Sequence, residues 1–304
     1  MKILIYSPQP TDATSFYRAY GVFAYLPGVE MIPFRGEQNT WADLIDIDLA
    51  FFQRPYTNTI VQTMEYLKRM GKPVWIDYDD DFLGVPSYLN TRWKANPETH
   101  HAIKRMCEVA DIITVSTENL KRLYSDRAKV IPNALNDFIL TMGKRKPAKK
   151  RILWRGSASH QADLYEFREP ILRIMDKYQD WQFVWFGMQP IWTDKGIHLP
   201  GTDLFYYFDK LIEIDAQIGI VPLITSDFNR SKSNIAELEM SWAGANCLVP
   251  DWVEWKSEYR YHSLSSFERV LEMMLIDKNR FDPIELPVLS QVNLMRINII
   301  KEFT

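Results

Sequence analysis

A chain of 304 residues, 46% hydrophobic and 25% charged, can bury one large core or two medium ones, and two domains are the expected division at this length. Its formal net charge of -3 and isoelectric point near 6.0 exclude an overall cationic field for gathering nucleic acid or acidic membranes, leaving only local patches for such a role. Cys107 and Cys247 are far apart, each in an apolar context, which excludes a disulfide framework or a thiolate zinc site and fits a reducing compartment.

From the start of the chain, apolar runs bounded by turn residues alternate with amphipathic segments, the pattern of strand–helix units around parallel sheets. The opening MKILIYSPQP breaks at its first proline after too short an apolar run for a signal peptide. No stretch reaches membrane-spanning length, so a cytoplasmic protein is expected. Strands are predicted at residues 2–7, 29–34, 48–53, 73–78, 111–116 and 129–134, and a helix in TIVQTMEYLKRMG, where Ile60, Met64, Leu67 and Met70 share a face. Periodicity then stops in NDFILTMGKRKPAKKR, where Lys144, Arg145, Lys146, Lys149, Lys150 and Arg151 crowd around one proline. A solvated linker over 144–150 is expected, with a polyphosphate-contacting stripe as the functional alternative. It separates a first domain, 1–143, from a second, 151–285, whose strands are predicted at 151–155, 181–187, 196–201, 216–223 and 245–250.

Ligands of open parallel sheets sit beyond the carboxyl ends of the strands, so the residues just after each strand carry the chemistry. After the first strand, Tyr17 and Arg18 open a helix whose Val22, Phe23 and Leu26 look like core. Arg18 then either faces the cleft or is a surface arginine at a helix start. Arg54 follows the third strand. IDYDDDF after the fourth brings together Asp77, Asp79, Asp80 and Asp81, carboxylates that repel one another unless a cation, a basic partner or solvent relieves them. They orient an acceptor hydroxyl, cap the following turn, or hold a divalent metal, weighted in that order. His100 and His101 follow on the next helical segment, without the further ligands a metal site needs.

In the second domain, Gly156, Ser157, Ser159 and His160 form a glycine–serine turn into a helix beginning near Gln161. It is either a phosphate seat or an ordinary strand–helix joint. Further on, SDFNRSKS leads into NIAELEMSWAG, where Ile235, Leu238 and Trp242 form a core stripe and Asn234 and Glu237 have capping-box spacing. Lys232 and Glu239 are seven residues apart, on one face and about 10 Å apart if the helix is continuous. Lys232, with Ser233, suits a diphosphate and Glu239 the paired hydroxyls of a ribose. The plain alternative is a surface lysine and a half-buried glutamate.

VIPNALND, with Ala134 in place of a usual glycine, ILWRGSASHQADL, and IGIVPL followed by LEMSWAGANCLVP together resemble the GT-B glycosyltransferases of the large retaining group that includes glycogen-synthase-like and lipopolysaccharide-type enzymes. FNRSKS, IDYDDD and FFQR look most like its bacterial and phage members. The resemblance implies an α/β chain of two Rossmann-like domains facing each other across a cleft, with residues 286–304 as a helix packing back on the first domain. In that group two glutamates eight positions apart contact the donor. Glu239 matches the second, the ribose contact, while the first falls on Ser231, and Lys232 and Ser233 take over part of its task. The implied activity is transfer of a hexose or pentose, with retention, from a nucleoside diphosphate sugar to an acceptor hydroxyl. No metal is strictly needed, because helix dipoles and cations stabilise the leaving diphosphate. The donor is then held by Gly156, Ser157, His160, Asn229, Lys232, Ser233 and Glu239. Tyr17, Arg18, Arg54, Asp77 and His100 lie on the acceptor side, and Asp79, Asp80 and Lys232 serve catalysis. The acceptor is a glycan, a lipid-linked molecule or, alternatively, a hydroxymethylated base in DNA. A non-catalytic sugar-nucleotide binding module, suggested by Ser231, is the alternative of another class.

Overall fold

The computed structural model describes residues 1–39, 41–89, 96–142, 146–277 and 284–303, so Lys144 and Arg145 of the predicted linker lie outside the described residues. The chain divides into two compact units. The first comprises Met1–Ala134, Arg230–Ser233 and Pro287–Thr304, and the second Leu135–Asn229 and Asn234–Leu286.

The first unit is built on β1 (Lys2–Tyr6), β2 (Glu30–Pro33), β3 (Leu49–Gln53), β4 (Val74–Tyr78), β5 (Ile112–Val115) and β6 (Lys129–Val130). They form one parallel sheet in the order β2-β1-β3-β4-β5-β6. Every residue of β3 and β4 is buried, as continuous apolar runs require when helices cover both faces of a parallel sheet. The predicted 59–71 helix spans Asn58–Arg69. Thr57 caps it by accepting from the Ile60 N–H, and Ile60, Met64 and Leu67 are buried. The helix Leu289–Lys301 returns to this unit, burying Leu289, Val292 and Ile299, with Asn293 Nδ2 donating to Val22 O at 3.2 Å. The direction in which strands are added reverses between β1 and β3, the topological switch point of such a sheet.

The second unit contains β7 (Lys149–Gly156), β8 (Gln182–Gly187), β9 (Ile197–Pro200), β10 (Ala216–Ile220), β11 (Asn246–Pro250) and β12 (Arg260–Tyr261). The parallel order is β12-β11-β10-β7-β8-β9, the doubly wound pattern with its switch point between β7 and β10. Two predicted strands are cut short by proline. β6 stops at Val130 ahead of Pro132, and β10 at Ile220 ahead of Pro222, because proline has no N–H for the ladder. The linker expectation needs correction at its end, since Lys149 and Lys150 are the first residues of β7. Residues 135–142 also go with the second unit, where Trp242 Nε1 donates to Ile139 O at 3.0 Å. Among the described residues no helix is long and apolar enough to cross a membrane.

Candidate functional site

At the first unit's switch point, Ser7 Oγ donates to Gln53 Oε1 at 2.6 Å, bridging the ends of β1 and β3. Arg54 follows with φ 49°, a left-handed conformation that costs a non-glycine residue about 1–2 kcal/mol. Its N–H donates to Asp77 O at 2.8 Å. The guanidinium grips Asp79 through Nε–Oδ1 and Nη2–Oδ2, the latter at 3.0 Å, and lies 4.0 Å from Asp80 and 5.6 Å from the Phe82 ring centre. Burial pushes the Asp79 carboxyl above its ordinary range against the pull of Arg54.

The aspartate cluster is not one site. Asp81 Oδ1 accepts from the N–H groups of Leu83 and Gly84 at 2.9 and 2.6 Å, the turn-capping role. Asp77 points the other way, into the core, where Arg18 Nε and Nη2 bind its two oxygens at 2.9 and 2.7 Å and Thr114 Oγ1 donates to Oδ2 at 2.6 Å. Arg18 Nη1 also donates to Ile131 O and Asn133 Oδ1. Arg18 is 1% exposed and Asp77 2%, so both are corrected from acceptor-side groups to a core ion pair. The six-residue helix ends at Arg18 and breaks at Ala19, which turns the guanidinium inward. Tyr17 is likewise buried, its ring edge-on to Phe16 at 5.1 Å. His100 is partly buried on the helix Pro97–Val109, where its electrostatic neighbour is Asp81. Among the described residues no group of three carboxylate, histidine or cysteine side chains is placed to hold a metal, so the metal reading of Asp77–Asp81 has no ligand set there. Asp79 and Asp80 remain at the carboxyl edge of β4.

The second switch point gathers a different set. Arg155, next to last in β7, places Nη2 2.5 Å from Glu239 Oε2, and Tyr207 Oη donates to the same oxygen at 2.6 Å. Phe186, near the end of β8, stacks on Tyr207 at 5.3 Å and 17°. Glu239 is 3% exposed. Gly187 ends β8 at φ 104°, and a Cβ there would stand 2.2 Å from Gly156 O, so only glycine lets the two strand ends approach. At Gly156 itself a Cβ would meet the Trp154 ring at 2.7 Å. Past it, Ser157 Oγ lies 2.9 Å from Ser159 Oγ and His160 Nδ1 2.9 Å from Asp163 Oδ2. Asp163 Oδ1 accepts from Ile224 N–H at 3.0 Å and Asn229 Nδ2 at 2.8 Å, tying the turn after β7 to the loop after β10. Asn229, 1% exposed, is therefore a brace inside the protein and not an open ligand contact.

Two further expectations change. The helix bearing Glu239 spans Ile235–Trp242, so Lys232 lies in the preceding loop, and the supposed pair on one continuous helix falls into different units. In the first unit this loop is held by Thr117 Oγ1 on Ser231 O, Asn119 Nδ2 on Arg230 O, and Asn133 Nδ2 on Ser233 Oγ, at 3.1, 2.6 and 2.8 Å. The Asn234 side chain does not cap the helix; it donates to Glu237 Oε2 at 3.0 Å. Glu237 also accepts from Lys256 and Ser257 N–H groups. Of the basic run, Lys149, Lys150 and Arg151 lie at the amino end of β7, away from its ligand edge, with Lys149 Nζ donating to Glu213 O, Lys150 paired with Asp180, and Arg151 donating to Ile214 O.

Sequence reasoning missed Arg155, Tyr207 and Asp163. Arg155 stood at a predicted strand end, a signal that could have found it; Tyr207, in LFYYFDK, had none.

No protein-family model matches the chain, and no curated protein does. Solved structures do. Anabaena HepE in complex with UDP-glucose is 8% identical, with TM-score 0.71 over 99% of this chain and 100% of its own. The UDP-GlcNAc 2-epimerase of Methanocaldococcus jannaschii is 11% identical, with TM-score 0.50 over 98% of this chain and 99% of its own. Staphylococcus aureus TarM, in complex with fondaparinux, alpha-GlcNAc-glycerol and UDP, is 10% identical, with TM-score 0.53 over 84% of this chain and 52% of its own. At these identities the likeness is one of architecture, and the chain has the GT-B-like fold of two Rossmann-like α/β units.

Proposed function

We propose that this protein is a glycosyltransferase of the retaining GT-B kind, moving a sugar from a nucleoside diphosphate sugar to an acceptor hydroxyl. The observation that carries the reading is the carboxylate of Glu239 at the β7/β10 switch point, where doubly wound units take nucleotides. It is held there by Arg155 and Tyr207 in a fold shared with proteins solved with UDP or UDP-glucose. Glu239 accepts the ribose hydroxyls, and the glycine turn at Gly156–Ser157 leaves room for the diphosphate. In the first unit, Asp79 and Asp80 orient the acceptor hydroxyl. Lys232 and Ser233 remain proposed contacts of the diphosphate, whose charge grows as it leaves.

Calorimetry with UDP, ADP and GDP, followed by mass spectrometry of candidate acceptors incubated with the matching nucleotide sugars, tests the reading. Glu239→Ala is expected to weaken nucleotide binding by about 1.5–3 kcal/mol, the worth of hydrogen bonds to a charged acceptor. Unchanged affinity in a folded variant contradicts the assignment. The fold likeness to a 2-epimerase makes epimerised or hydrolysed UDP-GlcNAc, without transfer to any acceptor, the competing outcome.

A further inference from the structure

Three elements converge on one carboxylate in the second unit. Glu239 comes from the helix Ile235–Trp242, Arg155 from the end of β7, and Tyr207 from the helix Leu204–Ile214. Both partners face the same oxygen, Oε2: Tyr207 donates a hydrogen bond to it at 2.6 Å, and Arg155 Nη2 stands 2.5 Å away as an ion pair without hydrogen-bond alignment. Tyr207 is itself fixed by the Phe186 ring stacked on it, and burial, the largest influence on its hydroxyl, raises that group's pKa, so it stays a donor. The Glu239 side chain is 4% exposed and that of Arg155 20%. A carboxylate this buried is stable only with a charge partner, and turning it would break the Tyr207 hydrogen bond and stretch the ion pair with Arg155.

We infer that Arg155, with Tyr207, is the positioning residue that aims Glu239. By doing so it sets the protein's preference for a ribonucleotide over its 2′-deoxy counterpart. The inference rests on the nucleotide-sugar reading above and adds to it which residues enforce the sugar specificity. A carboxylate fixed in orientation meets two vicinal hydroxyls well and one hydroxyl poorly. When the 2′-hydroxyl is missing, part of the hydrogen bonding for which the carboxylate was held in place is lost. Without the guanidinium, the carboxylate can swing to suit a single hydroxyl, and the distinction fades.

The test is calorimetry of UDP and 2′-deoxy-UDP, or of the ADP or GDP pair if that base binds better, on the wild type, Arg155→Met, Arg155→Lys and Tyr207→Phe, with thermal melts as the check of folding. The wild type is expected to favour the ribonucleotide by about 10- to 100-fold. Arg155→Met should bring that ratio to within about threefold of one, chiefly by weakening the ribonucleotide. Arg155→Lys should recover part of the ratio, and Tyr207→Phe should lower it less than Arg155→Met. If Arg155→Met weakens both nucleotides equally and leaves the ratio intact, Arg155 contacts the phosphates or serves only the fold, and the inference is overturned. A wild type that binds no nucleoside diphosphate removes the underlying reading itself. A wild type that binds both sugars equally removes only this inference.

Discussion

Arg18 and Arg54 stand near strand ends of the same unit, yet the chain uses them differently. Arg18 is consumed by the core. Removing it alone leaves Asp77 buried with only Thr114 and its electrostatic neighbour Arg296 as compensation, so Arg18→Met should cost up to about 3–5 kcal/mol of unfolding free energy. Changing Asp77 to Leu as well should restore much of that, because replacing a buried pair by apolar side chains is often nearly neutral. Urea unfolding of both variants checks this, and a single variant as stable as the wild type overturns the core assignment. Glu237 gives a test in pH. Burial pushes its carboxyl above the ordinary 4.5, although the Lys256 and Ser257 N–H groups and Asn234 pull it down. A group with a raised folded pKa holds a proton in the folded state at a pH where the unfolded chain has lost it, so its contribution to stability grows as pH falls through the folded value and levels off below the unfolded one. The wild type should therefore gain in melting temperature relative to Glu237→Gln as pH falls from neutral towards the ordinary carboxylate range. A wild type that instead loses melting temperature relative to Glu237→Gln on acidification would mean that the N–H donors outweigh burial.

The helix Leu204–Ile214 connects local capping to the site, because its first turn carries Tyr207. Asp203 caps it by accepting from the N–H groups of Phe205 and Tyr206 at 3.1 and 3.3 Å. Asp203→Ala should cost about 1 kcal/mol of stability, and nucleotide affinity should fall with it as Tyr207 loses its fixed place. Full stability together with wild-type affinity would show that the helix start is held by packing alone. Elements of this kind were legible in the sequence wherever the signal is local: strand runs, the stripe of Ile60, Met64 and Leu67, and Glu239 within a recognisable segment. Elements governed by distant partners were not. A continuous 232–239 helix was a fair reading of spacing, but the Arg230 and Ser231 carbonyls are taken by Asn119 and Thr117, more than a hundred residues away in sequence, and such bonds compete with helix continuation. Arg18 shows the same limit. Its position at a helix end suggested exposure, while its partners lie 59 and 113 residues further along the chain, and nothing local announces them.

At the scale of the molecule, charge bears on which acceptor the proposed transferase would take. The chain carries a net charge of -3, and among the described residues Arg18 is engaged by Asp77, Arg54 by Asp79 with Asp80 near, and Lys150 by Asp180 at the amino end of β7. At the carboxyl edge of β3 and β4, among the described residues, Arg54 stands beside Asp79 and Asp80. A polyanion approaching that edge would meet repulsion and would have to break an ion pair to gain a phosphate contact. A neutral, hydroxyl-rich acceptor meets neither cost, since Asp79 and Asp80 can accept from its hydroxyls. Duplex DNA should therefore bind weakly, and its binding should lack the steep salt dependence of proteins that neutralise 6–10 phosphates, which lose about 10³- to 10⁵-fold in affinity between 50 and 200 mM salt. Fluorescence anisotropy with a labelled duplex across that salt range makes the measurement. Asp79→Asn gives it a direction, because the substitution frees charge on Arg54: it should impair transfer to a neutral acceptor while making DNA binding, if anything, tighter. Tight wild-type binding that collapses with salt, or transfer unaffected in Asp79→Asn, would reverse the assignment of this edge to an uncharged acceptor.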